Sequence, residues 1–265
     1  MLIMSFKNFI YHSFPTFYLL LGFLFINYPV VNAQVYYGIG TGNAGSTLYE
    51  ISLSACSCSF VPLTPIGISV STICPNGNFY SLIDGDIYQI DPSNGSLTLI
   101  FEAPYYVSTS VLQCTDNNII YAFTQTGIGL PPSLYQFNLN AGTLIDMGVI
   151  IPQPTGDMTL LNGQIYYPTF SGIAQLNIAD PSNSALAIPL PSGHSIQGLT
   201  ASSYCSSLLA FIWNDGLYLI HFDGTVTRVC NGPPGSIGFN LSSLLEYAPS
   251  PCIPSVDLDC DDSSG

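Results

Sequence analysis

Short segments in which apolar and polar residues alternate recur along the chain. Five of them are clear relatives of one another, beginning at Leu48, Ile87, Leu134, Ile173 and Leu217. Alternation with a period of two predicts a half-buried strand, and the Asn-, Asp- and Gly-rich turns that follow most of them predict hairpins. Their starts lie 39, 47, 39 and 44 residues apart. A repeat of roughly 40–45 residues built of short strands predicts one β-propeller blade per repeat.

Two further series of strands run ahead of the alternating segments. The second strands begin at Val35, Asn78, Ile119, Gln164 and Leu208, and the innermost strands begin at Gly67, Val107, Gly156, Gln197 and Gly238. The innermost series is rich in small residues, Ser and Thr, which suits strands crowded around a propeller axis. Together with the outer half of each hairpin, these series predict four strands per blade and an all-β fold.

The two ends of the repeat region complete each other. The first repeat lacks an innermost strand, while the last innermost strand, 238–245, has no blade of its own. We therefore predict that 238–245 pairs beside the strand beginning at Val35 and closes the ring. Four whole blades at 67–104, 107–150, 156–191 and 196–234, with the composite blade, predict a five-bladed β-propeller over residues 34–247. Six blades are the alternative, although no stretch of sufficient length remains for a sixth.

The N-terminal segment has the three parts of a secretory signal peptide. Lys7 precedes an apolar run from Phe17 to Ile26, and a small-residue site ending at Ala33 follows it. Ten strongly apolar residues are too few for a transmembrane helix, which needs about 20. We predict cleavage after Ala33, so that residues 1–33 are a signal peptide and the mature protein is secreted, extracellular and located at the cell surface.

Charge excludes several classes of partner. The chain of 265 residues has 48% hydrophobic and only 7% charged residues, with 16 acidic side chains against two basic ones. Because Lys7 lies in the signal peptide, Arg228 is the only Lys or Arg of the mature chain. A surface with one cation cannot neutralise phosphates, so nucleic acid and anionic membranes are excluded as partners, and no membrane insertion is expected after cleavage.

Eight cysteines follow the signal peptide. An exported chain favours disulfides over zinc, and the Cys-x-x-Cys pairs typical of zinc sites do not occur. In a propeller, the outer part of one blade can lie near the inner hairpin of the next. We therefore expect Cys58 or Cys56 to pair with Cys74, and Cys230 to pair with Cys252.

Candidate catalytic residues are few. A propeller glycosidase needs two carboxylates about 5–9.5 Å apart in its central funnel. Only Asp157 stands at the start of an innermost strand, whereas Glu50, Glu102 and Glu246 are scattered elsewhere. Gly-Asp is also ordinary turn chemistry, so a turn or strand-start role is expected for Asp157. We predict neither a catalytic residue nor a bound cofactor within the propeller.

Aromatic residues are abundant, with 17 Tyr, 15 Phe and one Trp. Most Tyr stand at equivalent positions of the strands, which predicts packing between blades. Tyr105, Tyr106 and Tyr167 are the candidates for a binding rim that contacts a sugar or a peptide.

The C-terminal residues 248–265 read as a Pro-rich linker and the acidic start of a further domain. Asp257, Asp259 and Asp261 alternate, so an extended strand would place them on one face. A turn after them could bring carboxylate oxygens toward one calcium ion, with the remaining ligands supplied by the next domain. The alternative is a solvated linker without a metal.

The repeats and the tail Val256-Asp-Leu-Asp-Cys-Asp-Asp-Ser-Ser-Gly265 together resemble the N-terminal part of large exported Bacteroidota surface proteins. The resemblance covers about 35–247 and the ten-residue tail. It implies a propeller-like head followed by cadherin-like or other immunoglobulin-like modules, often with a C-terminal gliding-motility-associated sorting domain. The function it implies is a non-catalytic extracellular binding or adhesion head with a protein or glycan partner. A glycan-active hydrolase or lyase, and an architectural spacer, are the alternatives.

Overall fold

The computed structural model describes most of the propeller region. The described residues are 35–42, 45–54, 57–66, 70–104, 109–116, 118–124, 131–191, 195–202, 207–232 and 238–242. The predicted signal peptide and the C-terminal tail lie outside these ranges. Within them, no helix is both long and apolar enough to cross a membrane.

Five antiparallel sheets of four strands form a five-bladed β-propeller, which confirms the predicted fold class and makes the six-bladed alternative wrong. From the axis outward, the closing sheet contains β20 (Gly238–Ser242), β1 (Val35–Gly42), β2 (Gly45–Ser54) and β3 (Ser57–Ile66). The second sheet contains β4 (Ser71–Ile73), β5 (Phe79–Ile83), β6 (Asp86–Ile90) and β7 (Leu97–Phe101). The third contains β8 (Thr109–Cys114), β9 (Ile119–Thr124), β10 (Ser133–Asn138) and β11 (Thr143–Val149).

The last two sheets follow the same order. The fourth contains β12 (Thr159–Leu161), β13 (Gln164–Thr169), β14 (Gly172–Gln175) and β15 (Ala185–Pro189), with a 3₁₀ turn at Pro181–Asn183. The fifth contains β16 (Ile196–Ala201), β17 (Ser207–Ile212), β18 (Gly216–His221) and β19 (Val226–Asn231). The inner strands β20, β4, β8, β12 and β16 each contact the next one around the ring.

The predicted closure of the ring is confirmed. β20 pairs antiparallel with β1, in a register that runs from Tyr37 opposite Ser242 to Thr41 opposite Gly238. The pairing joins the end of the propeller to its beginning in one sheet, because β1 needs an inner partner and β20 needs the outer three strands of a blade. The seam therefore has no open inner edge.

The repeated strand order sorts the loops onto two faces. Turns between second and third strands, and connections from an outer strand to the next inner strand, lie on one side, here called the connection face. It includes the turns at 84–85, 170–171 and 213–215 and the connection 150–158. In the two-residue turn Asp84–Gly85 both residues have positive φ, 55° and 101°. This is the tight hairpin geometry that the Asp-Gly sequence predicts.

The core lies between blades. Five clusters of buried residues each combine side chains of two neighbouring sheets. Phe101 of the second sheet meets Phe137 of the third edge to face at 5.5 Å, and Phe123 meets Tyr167 of the fourth at 5.2 Å. Edge-to-face aromatic pairs add stability beyond the area that they bury. Packing between blades is thus confirmed for these aromatic residues.

The four cysteines that the structure describes form two disulfides, but the predicted partners are wrong. Cys58 pairs with Cys230 at a Cα–Cα distance of 5.9 Å, and Cys74 pairs with Cys114 at 5.2 Å. The first bond joins outer strands β3 and β19 of neighbouring blades, and the second joins the ends of inner strands β4 and β8. Equivalent strands of neighbouring blades lie at the same distance from the propeller axis. Each disulfide therefore joins two outer strands or two inner strands, and not an outer strand to an inner one. Cys56 and Cys252 lie outside the described residues.

Candidate functional site

Asp157 is buried at the end of the β11–β12 connection, directly before inner strand β12. Its side chain is 2% exposed. Oδ1 accepts a hydrogen bond from the Met158 amide at 3.0 Å, and Oδ2 accepts one from the Leu241 amide at 3.2 Å. The amide of Asp157 donates to the Gln197 carbonyl at 2.8 Å. Its position at the start of a strand is as predicted, whereas the bond to Leu241 of β20 was not foreseen.

These bonds make Asp157 a junction of three blades. β12, β16 and β20 belong to the fourth, fifth and closing sheets, and Asp157 contacts all three. The preceding Gly156 permits the approach, because a Cβ there would lie 2.3 Å from the Ile196 carbonyl oxygen. Both carboxylate oxygens are engaged by backbone amides, which favours a structural role over proton transfer.

The other candidate acids do not join Asp157 in the described part of the chain. Glu50 is partly exposed on β2, and Glu102 is exposed after β7. Among the described residues, Asp157 is the one buried carboxylate. The same residues contain no group of three or more His, Cys, Asp or Glu side chains that could hold a metal ion. Glu246 and the proposed calcium ligands Asp257, Asp259 and Asp261 lie outside the described ranges, so the calcium site stays a prediction.

Tyr167 is not a rim residue. It is fully buried on β13, and its hydroxyl donates to the Pro152 carbonyl at 3.1 Å. Burial raises the pKa of the Tyr167 hydroxyl above that of an exposed tyrosine. The expectation of an exposed role is wrong because β13 is the second strand of its sheet, and neighbouring blades cover both of its faces. Tyr105 and Tyr106 lie outside the described residues.

Other apolar side chains are exposed on the connection face. Phe170 is 82% exposed in the β13–β14 turn, Ile151 is 55% exposed in the β11–β12 connection, and Trp213 is 49% exposed in the β17–β18 turn. Among the large apolar side chains that the structure describes, these three have the highest exposures. The remaining exposed ones lie mostly on outer strands, such as Leu99 of β7.

A polar network adjoins the Trp213 turn. The Arg228 Nη2 atom lies 3.0 Å from Asp215 Oδ1 and also donates to Asn231 Oδ1. The Tyr218 hydroxyl donates to Asp215 Oδ2 at 2.6 Å. The only Trp of the chain and the only Lys or Arg of its predicted mature part therefore lie at one end of the fifth sheet. Both residues are unique in the predicted mature sequence, and this rarity is the signal by which sequence reasoning could have found the site.

The opposite face carries a shallow groove of about 580 Å³ in the third sheet, lined mainly by Asp116, Asn118, Asn138 and Asn140. Asp116 Oδ1 accepts from the amides of Asn118 and Ile119, and Asn138 Oδ1 accepts from the Ala141 amide. These side chains cap their own turns, so the groove follows from hairpin chemistry.

Comparison with known proteins supports the fold alone. No protein-family model and no curated protein matches the chain. A chain in the crystal structure of a nidogen/laminin complex is similar with a TM-score of 0.50 and 11% identity, covering 78% of this chain and 98% of that one. A gluconolactonase from Xanthomonas campestris has a TM-score of 0.51 and 13% identity, covering 78% and 79%. TolB from Acinetobacter baumannii has a TM-score of 0.48 and 12% identity, covering 76% and 54%.

Proposed function

We propose that this chain is a non-catalytic binding head of an exported cell-surface protein and that it binds its partner through the connection face. The observation that carries the proposal is the exposure of Phe170, Ile151 and Trp213 on that face. Contiguous exposed apolar patches mark interaction sites, whereas single exposed apolar residues are common on any surface, so the proposal rests on these three side chains sharing one face. Aromatic residues are also the commonest anchors of binding energy.

The environment of Asp157 supports a non-catalytic role. A retaining or inverting glycosidase needs one carboxyl group as a general acid and a second as base or nucleophile. Both oxygens of Asp157 instead accept backbone amide hydrogen bonds that hold the ring together. The described part of the chain offers no second buried carboxylate beside it.

Export of the chain is supported by its chemistry. The disulfides Cys58–Cys230 and Cys74–Cys114 suit an oxidising compartment. The predicted signal peptide and the resemblance to Bacteroidota surface proteins point to the same location. The solved neighbours include a chain from a nidogen/laminin complex and a gluconolactonase, so the fold by itself does not choose between binding and catalysis.

Paired variants of the mature chain, residues 34–265, test the proposal. Phe170→Ser with Trp213→Ser removes exposed aromatic surface from the connection face. Leu99→Ser with Leu186→Ser is the matched control, because these side chains are 48% and 45% exposed on outer strands. Each labelled protein is titrated onto intact bacterial cells, mammalian extracellular matrix and immobilised glycans. We expect the first pair to weaken binding at least tenfold and the control to bind as the wild type does.

Other outcomes would favour the alternatives. Equal loss in both pairs would contradict a site on the connection face, and no binding of the wild type to any surface would favour an architectural spacer. Release of reducing sugar from the glycans that disappears in Asp157→Asn would favour a hydrolase or lyase.

A further inference from the structure

We infer that the Trp213 turn and the polar side chains beside it form a binding site for a neutral saccharide. This inference rests on the proposed function and names its ligand class. The site, here called the Trp213 site, consists of Trp213, Asp215, Tyr218, Arg228 and Asn231. It combines one exposed aromatic ring with planar polar side chains that are already held in place.

Two backbone hydrogen bonds fix the turn that carries the indole. The Asp215 amide donates to the Ile212 carbonyl at 3.1 Å, which closes the turn, and Asn214 takes the positive φ of 56° that the turn needs. The Trp213 amide donates to the Ser195 carbonyl at 2.9 Å, which ties the turn to the connection entering β16. A half-exposed indole on a fixed backbone offers a flat apolar surface at a low cost in ordering on binding. The C–H faces of pyranose rings fit such a surface.

The neighbouring polar groups supply both kinds of hydrogen-bonding capacity that sugar hydroxyls need. The Asp215 carboxylate accepts, and the Arg228 guanidinium donates in a planar fork. Arg228 uses Nη2 for Asp215 and Asn231, while its Nη1 and Nε donate to no acceptor in the described part of the chain. Both charged side chains are partly exposed and therefore accessible. Since each hydroxyl donates and accepts at once, a carboxylate beside a guanidinium can hold neighbouring hydroxyls of one ring.

Charge argues for a neutral ligand. Asp215 and Arg228 lie 3.0 Å apart and neutralise each other, so the site has little net charge for an ion to pair with. The chain as a whole carries a formal charge of −14 at pH 7, which repels anions over a longer range. An anion that bound Arg228 would have to compete with Asp215, and a cation that bound Asp215 would have to compete with Arg228. A saccharide without charge disturbs neither.

The openness of the site and its carboxylate favour a sugar over a protein surface at this position. The core of a protein–protein interface is depleted of Asp, Glu and Lys, and it buries its Trp, Tyr and Arg anchors in pockets. Here the turn that carries the indole also carries Asp215, which contacts Tyr218 and Arg228, and all of these side chains remain partly open to solvent. That arrangement suits a pyranose ring, which has an apolar C–H face and polar hydroxyl groups within one small ligand.

Trp213 also provides the assay, because it is the only Trp in the chain. The full mature wild-type chain is titrated with neutral oligosaccharides, namely cello-, xylo-, manno- and N-acetylchito-oligosaccharides and dextran. We expect at least one of them to shift the Trp213 emission to shorter wavelength and to protect it from acrylamide quenching. Arg228→Gln and Asp215→Asn should each raise the dissociation constant at least tenfold. Leu99→Ser, at a side chain that is 48% exposed on outer strand β7 and lies away from the connection face, is the control and should bind the same saccharide as the wild type does.

The wild-type titration decides the inference even where a variant fails to fold. Protection by polygalacturonate but by none of the neutral saccharides would overturn it, as would the absence of protection by all of these probes. If the surface binding of the proposed function persists and is lost in Trp213→Ser while no saccharide protects the indole, the saccharide inference is wrong and the proposed function stands. If folded Arg228→Gln and Asp215→Asn variants bind the saccharide as tightly as the wild type does, the proposed role of these two side chains in the Trp213 site is also contradicted.

Discussion

Replacing both Cys58 and Cys230 with serine should destabilise the propeller mainly at the ring seam. The disulfide links β3 of the closing sheet to β19 of the sheet that precedes it around the ring. Without it, the N-terminal strands are held to the C-terminal part by the β1–β20 ladder and by the packing of the closing sheet against both neighbours. Both cysteines are only half-buried, so serine leaves little cavity and the change acts chiefly through the unfolded chain.

The expected magnitude follows from the length of chain that each disulfide closes. Cys58–Cys230 spans 172 residues and Cys74–Cys114 spans 40. The chain-entropy relation gives about 5 kcal/mol for the longer loop and about 4 kcal/mol for the shorter one, both at the upper end of measured values. For a domain of this size, a loss of several kcal/mol lowers the melting temperature by on the order of 10 °C.

Urea unfolding and amide hydrogen exchange measure the two parts of the prediction. The urea midpoint of Cys58→Ser/Cys230→Ser should be lower than that of the wild type, and the free energy of unfolding derived from it should be lower by about 5 kcal/mol. Exchange should accelerate first in β3 and β19, which the disulfide joins, and in β1 and β20, whose pairing closes the ring, because these strands can then open as one unit. Cys74→Ala/Cys114→Ala is the control, and its exchange should accelerate first in β4 and β8.

Two results would refute this reasoning. A stability of the serine variant within about 1 kcal/mol of wild type would show that the long loop is already restrained in the unfolded chain. Exchange that rises equally in all five sheets would show that the ring opens cooperatively and that the seam is no weaker than the other blade interfaces.

Three further predictions concern single residues. Asp157→Ala should lower the free energy of unfolding by about 2–3 kcal/mol, since it leaves a buried amide of β20 unsatisfied, and Asp157→Asn should cost less; urea midpoints measure both. Burial raises the pKa of Tyr167, so its contribution to stability is present below pH 10.0 and is lost as pH rises through the folded pKa. Tyr167→Phe should therefore give a shallower alkaline decline of the melting temperature. Gly172→Ala should cost about 3 kcal/mol or more in thermal unfolding, because φ is 137° and its Cβ would lie 2.1 Å from a carbonyl oxygen of β15.

Each of these predictions has a control or a contradicting result. A neutral Asp157→Ala would show that the junction of three blades contributes nothing to stability. Identical alkaline slopes for wild type and Tyr167→Phe would assign the decline to other tyrosines. Gly77→Ala is the control for Gly172, since φ is 81° there but no atom lies within 4 Å of the added Cβ; equal losses would contradict the steric argument.

The sequence by itself determined the all-β class, the number of blades and the closure of the ring. Strand alternation and turn chemistry are local properties, so Asp84–Gly85 specifies its hairpin without help from the rest of the chain. The closure was predictable because β1 and β20 are incomplete alone and each lacks what the other supplies. Repetition also made the count reliable, since five copies of one pattern carry more information than one.

The tertiary structure alone decided the contacts between blades, because these join residues far apart in sequence. Asp157 and Leu241 are 84 residues apart, and no local pattern marks them as partners. Cysteine pairing depends on which strands lie at the same distance from the axis, which spacing along the chain does not encode. Tyr167 and Trp213 likewise differ in burial because one points between blades and the other stands at the end of its sheet. A period of two identifies a strand, but only the assembled ring determines what covers each of its faces.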